Sequence, residues 1–120
     1  MATQNFGWQK DKYDSRDYLH RMKVAPVPDS LVLLELLTDV RDQGSLGACV
    51  GFGIGVNLNS VTKALNIFVE WHSPTWLYNG ARFIEGTLTQ YVGCYPRDAL
   101  DWVVDKGLLL ENFWPYDPNK

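Results

Sequence analysis

Residues 42–53 read DQGSLGACVGFG and place one of the chain's two cysteines, Cys49, directly after a glycine-rich turn. Gln43 precedes this cysteine on the same turn. The stretch has two interpretations. Cys49 is either a small apolar side chain buried at a helix start, which is common for free cysteine, or a thiol nucleophile. The rest of the sequence has to distinguish them.

A glycine-containing helix is predicted to follow the turn. Apolar residues recur at intervals of three and four between residues 46 and 65, which is the pattern of one helix face. Three glycines would weaken this helix in isolation, so they indicate close packing against other backbone. The predicted apolar face holds Val50, Ile54, Leu58, Val61 and Leu65, and the glycines are Gly51, Gly53 and Gly55.

Two further helices carry clear end signals. The first is predicted over residues 73–85, with Ser73 as the N-cap, Pro74 at the first helical position and Gly86 after the last. The second is predicted over residues 96–106. The apolar positions of residues 30–40 are nearly continuous, so periodicity does not decide their structure, and we expect an extended segment with one helical turn. The chain is therefore mainly α.

Composition limits the class of protein. The 120 residues are 46% hydrophobic with a net charge of −3, so the chain is one globular domain or one lobe and not a nucleic-acid binder. It has no apolar run of about 18 residues, and no membrane contact is expected. The N-terminus has no signal-peptide pattern, which favours a cytoplasmic or virion-associated protein with two free thiols, Cys49 and Cys94. These cysteines and the two histidines show no metal-ligand spacing, so neither a metal nor a cofactor is expected.

The residues around Cys49 fit thiol chemistry. A helix N-terminus lowers the pKa of a cysteine through its unpaired N–H groups, so a thiolate is expected here. Gln43 and the backbone N–H of Cys49 are candidate donors to the oxyanion of a tetrahedral intermediate. Gly44 and Gly47 would let a substrate backbone approach closely.

The segment QGSLGAC (residues 43–49) resembles the nucleophile segment of papain-like cysteine peptidases. The central Gly47-Ala48-Cys49 matches, whereas Leu46 replaces a cysteine and Val50 an aromatic residue. Four more segments resemble the same lobe of that family in the same order, so the resemblance covers nearly the whole chain. They are GWQKDKYDSRDY (residues 7–18), VPDSLVLLELLTDVRDQG (27–44), SPTWLYNGARFIEG (73–86) and GCYPRDALDWVVDKGLLLENFWPYD (93–117).

The resemblance implies the helical (left-hand) lobe of the papain-like α+β fold, with about three helices and short extended segments. Residues 1–30 would form an N-terminal extended arm, for which the residues themselves favour a solvated segment, and residues 31–120 the nucleophile-bearing lobe. Cys49 would attack a peptide carbonyl in a peptide or protein substrate and form a thioester. Gln43 would hold the oxyanion, while Gly47, Gly93 and Cys94 would line the cleft. For Cys94, a small buried filler is an equally good interpretation.

The base that activates the thiol is not expected in this chain. In the family, a histidine oriented by an asparagine lies on a β-rich second lobe, and neither His20 nor His72 matches that position. His72 is expected to lie at the surface or beside a helix cap. The isolated chain is therefore predicted to be inactive.

Three explanations remain for the missing half. The chain is a fragment or one chain of a cleaved enzyme, a partner chain supplies the second lobe, or the lobe is a non-catalytic (pseudo-peptidase) structural or binding module in a larger assembly such as a virion. An apolar surface beside Cys49 would favour a missing partner, and a polar covering would favour a self-sufficient module.

Overall fold

Three α-helices form the body of the protein in a computed structural model that describes residues 6–17, 26, 28–68 and 70–119. They are α1 (Cys49–Ala64), α2 (Pro74–Glu85) and α3 (Pro96–Lys106). Two short 3₁₀ turns, Leu34–Leu36 and Glu111–Phe113, precede and follow them. Within the described residues, extended backbone pairs only in isolated bridges, so the chain is mainly α, as predicted.

The ends of α2 lie where its sequence signals predicted. Ser73 is the N-cap, and its hydroxyl accepts the backbone N–H of Trp76 at 3.2 Å. Gly86 follows the last turn in the left-handed conformation, with φ of 72°. Both signals are local to the backbone, which is why they were readable without knowledge of the tertiary packing.

Helix α1 packs on α2 through its glycines. A Cβ on Gly51 would lie 2.5 Å from the carbonyl oxygen of Pro74, and a Cβ on Gly55 would be in ordinary contact with Leu77. The predicted close approach to other backbone is therefore confirmed at Gly51, whereas Gly55 is buried with room for a Cβ. The prediction is wrong for Gly53, around which a Cβ would meet nothing within 4 Å.

The predicted apolar face of α1 is only partly covered. Val50 is 5% exposed, but exposure rises along the face to 62% at Leu65. The buried side of α1 instead holds Val50, Gly51, Gly55 and Asn59. Spacing identified an apolar face correctly but could not show that this face lacks a covering element in the described part of the chain.

Aromatic side chains join α2 to α3. Gly80 lies so close to the indole of Trp102 that a Cβ there would overlap the ring. Trp76 packs against Trp102 with a ring-centroid distance of 5.0 Å. The core is small and is shared by the three helices and the segments between them. Its buried apolar residues are Ala48, Val50, Leu77, Tyr78, Ala81, Cys94 and Ala99.

The segment after α3 returns to the start of α2. The Ser73 N–H donates to the Leu109 carbonyl at 2.8 Å, and the Ser73 hydroxyl donates to the Trp114 carbonyl at 2.7 Å. The Glu111 N–H donates to the Trp71 carbonyl at 2.8 Å. These bonds bring residues 109–116 beside the loop that carries Gln43.

Candidate functional site

Cys49 is the first residue of α1, so its thiol lies at a helix N-terminus, as predicted. The Cys49 side chain is partly buried and Cys94 is completely buried, and both are free thiols. The backbone N–H of Cys49 has no intrahelical partner at this position. It is available to a group outside the helix.

The carbonyl oxygen of Phe6 receives that N–H. The Cys49 N–H donates to it at 3.1 Å, and the Gln43 side-chain amide approaches the same oxygen at 3.4 Å. The Gln43 amide is oriented by a shorter bond, 2.8 Å, to the carbonyl of Leu46. Both donors expected from the sequence therefore converge on one carbonyl oxygen, with the Gln43 contact the weaker of the two.

Residues 6–9 are here named the strap. They lie beside Cys49, between the loop of residues 43–49 and residues 93–94, and the channel between these two segments is here named the groove. The Cys94 N–H donates to the Gly7 carbonyl at 2.9 Å, and the Gln9 N–H donates to the Cys94 carbonyl at 3.2 Å. Trp8 thereby pairs with Cys94 in a parallel bridge. The Gln9 side chain also donates to the Gly93 carbonyl at 3.2 Å.

The solvated arm favoured by the sequence does not describe the backbone of residues 6–9, which is bonded to the groove, although the Phe6 and Trp8 side chains are exposed. The polar, turn-rich composition of the arm concealed a groove-bound segment because no periodicity marks it. The available signal was Gly7-Trp8, a glycine and a large apolar residue within a polar run. For Cys94, the interpretation as a small buried filler is confirmed, since its side chain is 0% exposed. Its backbone bonds the strap, and its place in a substrate cleft stays a prediction.

The thiol of Cys49 is less acidic than its position at a helix N-terminus led us to expect. Burial raises the pKa of Cys49 above its ordinary value of 9.0, although the backbone N–H groups of Val50, Cys49 and Trp8 act in the opposite direction. The expected thiolate at neutral pH is therefore wrong for this chain with its strap in place. A thiolate at pH 7 would need a positive partner beside the sulfur.

His72 does not serve Cys49 as that partner. Its Nδ1 lies 2.6 Å from Oδ1 of Asn59, ten residues further along α1 than Cys49, which corresponds to about 15 Å of helix. His72 is buried beside the Ser73 cap, so its predicted place at the cap is confirmed and the surface alternative is wrong. Burial lowers the pKa of His72. His20 lies outside the described residues.

Two contacts that sequence reasoning missed hold the Gln43 loop. The Tyr116 hydroxyl donates to the Gln43 carbonyl, and Arg41 forms a two-pronged ion pair with Glu111 at 2.6 and 2.7 Å. The Tyr116 ring packs edge-on against Phe52 of α1. Tyr116 is thus a packing and positioning group.

Residues 92–95 form the side of the groove opposite the Cys49 loop, and hydrogen bonds with α2 hold them in place. The Tyr78 hydroxyl donates to the Val92 carbonyl at 2.7 Å, and the Tyr95 N–H donates to the Glu85 carboxylate at 2.8 Å. The buried Arg82 guanidinium donates to the carbonyls of the loop between α2 and this side, including that of Gln90 at 2.7 Å. Gly93 and Cys94 are therefore bonded to the strap on one side, and their neighbours Val92 and Tyr95 are bonded to α2 on the other.

An apolar hollow of about 430 Å³ opens next to Cys49. The uncovered face of α1 forms one side of it, and the start of α3 forms another. Trp8 of the strap also lines it and is 62% exposed. The full lining is Trp8, Cys49, Val50, Gly53, Ile54, Asn57, Leu58, Pro96 and Leu100.

Residues 6–17, 26, 28–68 and 70–119 contain no group of three His, Cys, Asp or Glu side chains that could hold a metal ion. No helix in these ranges is both long and apolar enough to cross a membrane. Comparison of the sequence with known protein families and with curated proteins finds no match. The functional interpretation therefore depends on the geometry around Cys49 and on the sequence resemblance.

Proposed function

We propose that this chain is the nucleophile-bearing lobe of a papain-like cysteine peptidase. The observation that supports this most is the position of the Phe6 carbonyl oxygen, which two donors of the predicted oxyanion site, the Cys49 N–H and the Gln43 amide, approach together. Preorganised donors of this kind stabilise the negative charge that develops on a carbonyl oxygen under nucleophilic attack. The same helix end that supplies one donor also carries the thiol.

A substrate carbonyl held by these donors would be attacked by the Cys49 thiolate. The carbonyl oxygen would take the negative charge, and collapse of the tetrahedral intermediate would leave a thioester on Cys49. Expulsion of an amine requires a proton donor, and thiolate formation at neutral pH requires a base. His72 is directed at Asn59, so both tasks fall to a group outside the described residues.

The apolar hollow beside Cys49 fits a missing second lobe or partner chain. Its lining is mostly apolar, and the α1 face that forms it carries Ile54 and Leu58 without a covering element in the described part of the chain. Contiguous apolar surface next to a catalytic group is typical of an interface. A second lobe in this hollow would place new groups next to the thiol.

A second candidate is a non-catalytic lobe that binds or supports other proteins in a larger assembly such as a virion. The observations that favour it are the strap in the groove and the raised pKa of Cys49. In this case Cys49 and Gln43 would serve only to hold the strap.

Acylation by an activated ester separates these two functions without the missing base. A p-nitrophenyl ester of a blocked peptide has a good leaving group, so attack on it needs no proton donor, and a pH above 9 supplies thiolate. We expect the ester to displace the Phe6 carbonyl from the two donors and to give a burst of p-nitrophenolate equivalent to one acyl group per chain. Release of the acyl group should then be slow, because His72 is directed at Asn59 and not at the site. A non-catalytic lobe would acylate no faster than an unassisted thiolate, and its acylation would not depend on Gln43.

The two cysteines provide the matched control. Cys49→Ala should abolish the burst and Cys94→Ala should retain it, because burial raises the pKa of Cys94 to about 12. Gln43→Ala should slow the burst about tenfold or more through loss of an oxyanion donor. A burst that survives Cys49→Ala, or that is unchanged by Gln43→Ala, would contradict the proposed function.

A further inference from the structure

Gly7 is the strap residue that passes between the two sides of the groove where they leave no space for a side chain. Gly7 lies between Gly47 of the Cys49 loop and Gly93 of the opposite side. A Cβ on Gly7 would overlap the Gly47 carbonyl, and a Cβ on Gly93 would overlap the Gly7 carbonyl. The Gly7 backbone therefore lies directly between the backbones of Gly47 and Gly93, and a side chain on residue 7 would not fit.

The wall that a Gly7 side chain would meet is not free to move aside. The Gly47 carbonyl belongs to the loop that Gln43 fixes through Leu46, and the Ala48 N–H donates to the same Leu46 carbonyl at 2.7 Å. Gly7 also has a φ of 83°, a conformation that L-residues with a side chain rarely adopt. The overlap with Gly47 and the positive φ are thus two independent reasons why residue 7 has to be glycine.

The residue after Gly7 takes a different environment. The Trp8 side chain reaches the apolar hollow, where Ile54, Leu58 and Leu100 contribute to the lining. On either side of Trp8, the strap backbone bonds Cys94, so its path along the groove is fixed at Gly7 and Gln9. The strap thus offers a carbonyl for the donors, a glycine where a side chain would not fit and a large apolar side chain for the hollow.

We propose that the groove binds peptides that carry glycine at the position equivalent to Gly7 in preference to peptides with another residue there. The ligand is an extended peptide in which the residue whose carbonyl meets Cys49 and Gln43 is followed by glycine and then by a large apolar residue. The strap is the intramolecular ligand of this class. The inference deepens the proposed function, since it assumes that this groove is the peptide-binding cleft of the peptidase.

The first test compares two glycines that share a positive φ. Gly107 has a φ of 80°, against 83° for Gly7, but a Cβ on Gly107 would meet nothing within 4 Å. Gly7→Ala and Gly107→Ala therefore both place alanine at a positive φ, and only Gly7→Ala adds the overlap in the groove. The full chain of each variant is treated with iodoacetamide, and alkylation of Cys49 is followed by peptide mapping.

We expect Gly7→Ala to raise the rate of Cys49 alkylation about tenfold over wild type, because the strap bonds that cover the thiol are lost. Gly107→Ala should alkylate at the wild-type rate. Equal rates in the two variants would overturn the inference, because the strap would then be seated without regard to the side chain at residue 7. Circular dichroism verifies that both variants retain their helices.

The second test supplies the ligand in trans. A blocked peptide of sequence QNFGWQKD, residues 4–11, is added to the Gly7→Ala chain, and the matched peptide carries alanine in place of its glycine. The glycine peptide should restore protection of Cys49 from iodoacetamide, and the alanine peptide should not. Equal protection by both peptides, or by neither, would contradict glycine selection.

These outcomes are separable from the proposed function. The ester burst reports the nucleophile and its donors, whereas alkylation protection reports only binding in the groove. A burst that depends on Cys49, together with equal protection by both peptides, would retain the peptidase lobe and reject glycine selection. Protection by the glycine peptide alone in a chain without a burst would retain a glycine-selective groove and reject the peptidase.

Discussion

The two sides of α1 carry similar small and apolar residues but have different surroundings. On one side, Gly51 and Gly55 lie against Pro74 and Leu77 of α2, at contact distance. On the other, Gly53 has nothing within 4 Å of its missing side chain, and the neighbouring apolar residues become progressively exposed. One side of α1 is therefore packed closely on α2, whereas the other side meets only the start of α3 across the apolar hollow and is left partly uncovered by the described residues.

The largest expected difference between the two sides comes from removing a leucine. Leu77 is 0% exposed against α1, so Leu77→Ala should lower the free energy of unfolding by about 3 kcal/mol. The control is Leu58→Ala on the open side, where the loss should stay below about 1 kcal/mol because the side chain already contacts water. Urea unfolding of the two variants measures both values. Similar losses would show that the open side is covered.

Adding one methyl group to each side gives an effect of opposite sign. Gly51→Ala should destabilise the protein by about 2 kcal/mol, since the new Cβ would lie 2.5 Å from the Pro74 carbonyl. Gly53→Ala should stabilise it by about 0.5 kcal/mol, because alanine favours the helix and meets nothing. Thermal unfolding of the pair checks this. A destabilising Gly53→Ala would mean that a neighbour approaches the open side.

The covered side should also make stability depend on pH through His72. Burial lowers the pKa of His72 in the folded protein below its ordinary value of 6.5, so the unfolded chain binds the proton first as pH falls. We expect this contribution to reduce stability as pH falls below 6.5 and to be absent above it. The His72→Gln variant should lose less stability between pH 7 and pH 5 than wild type. A steeper loss in the variant would contradict a neutral His72 bonded to Asn59.

The smallest change is expected on the open side. Val61 is 47% exposed, so Val61→Lys should alter the free energy of unfolding by less than about 0.5 kcal/mol. The measurement is urea unfolding of the isolated chain. A loss several times larger would show that the open side is buried in solution by a copy of the chain or by another element.

Local signals made the helices predictable. Ser73, Pro74 and Gly86 specify the ends of α2 through the backbone bonds and conformations that those residue types favour, whatever the helix packs against. The position of Cys49 near the start of α1 was predictable from the apolar spacing that begins after the glycine-rich turn, although no side-chain cap marks that end of the helix. Which side of α1 is covered was not predictable, because the periodicity of a helix identifies apolar faces and not their neighbours.

The residue types of the site were predictable from the sequence, but the strap that occupies the site was not. The spacing of Gln43 and Cys49 indicated two donors near one thiol, and the structure brings both to the same oxygen. That oxygen belongs to Phe6, far away in sequence, and a long-range backbone contact leaves no periodic pattern. The raised pKa of Cys49 was not predictable either, because burial, which opposes the backbone N–H groups at the helix start, depends on tertiary packing.

The most direct test of the central claim, that this chain holds the nucleophile and its oxyanion donors but not its base, is the pH dependence of Cys49 alkylation. Iodoacetamide rates in the wild-type chain, measured at Cys49 from pH 5 to pH 11, give the pKa of the thiol. We predict a rate that still rises at pH 9, because burial holds the pKa above 9.0. A plateau reached below about pH 7 would contradict the claim, since it would require a positive partner such as an imidazolium within the chain itself.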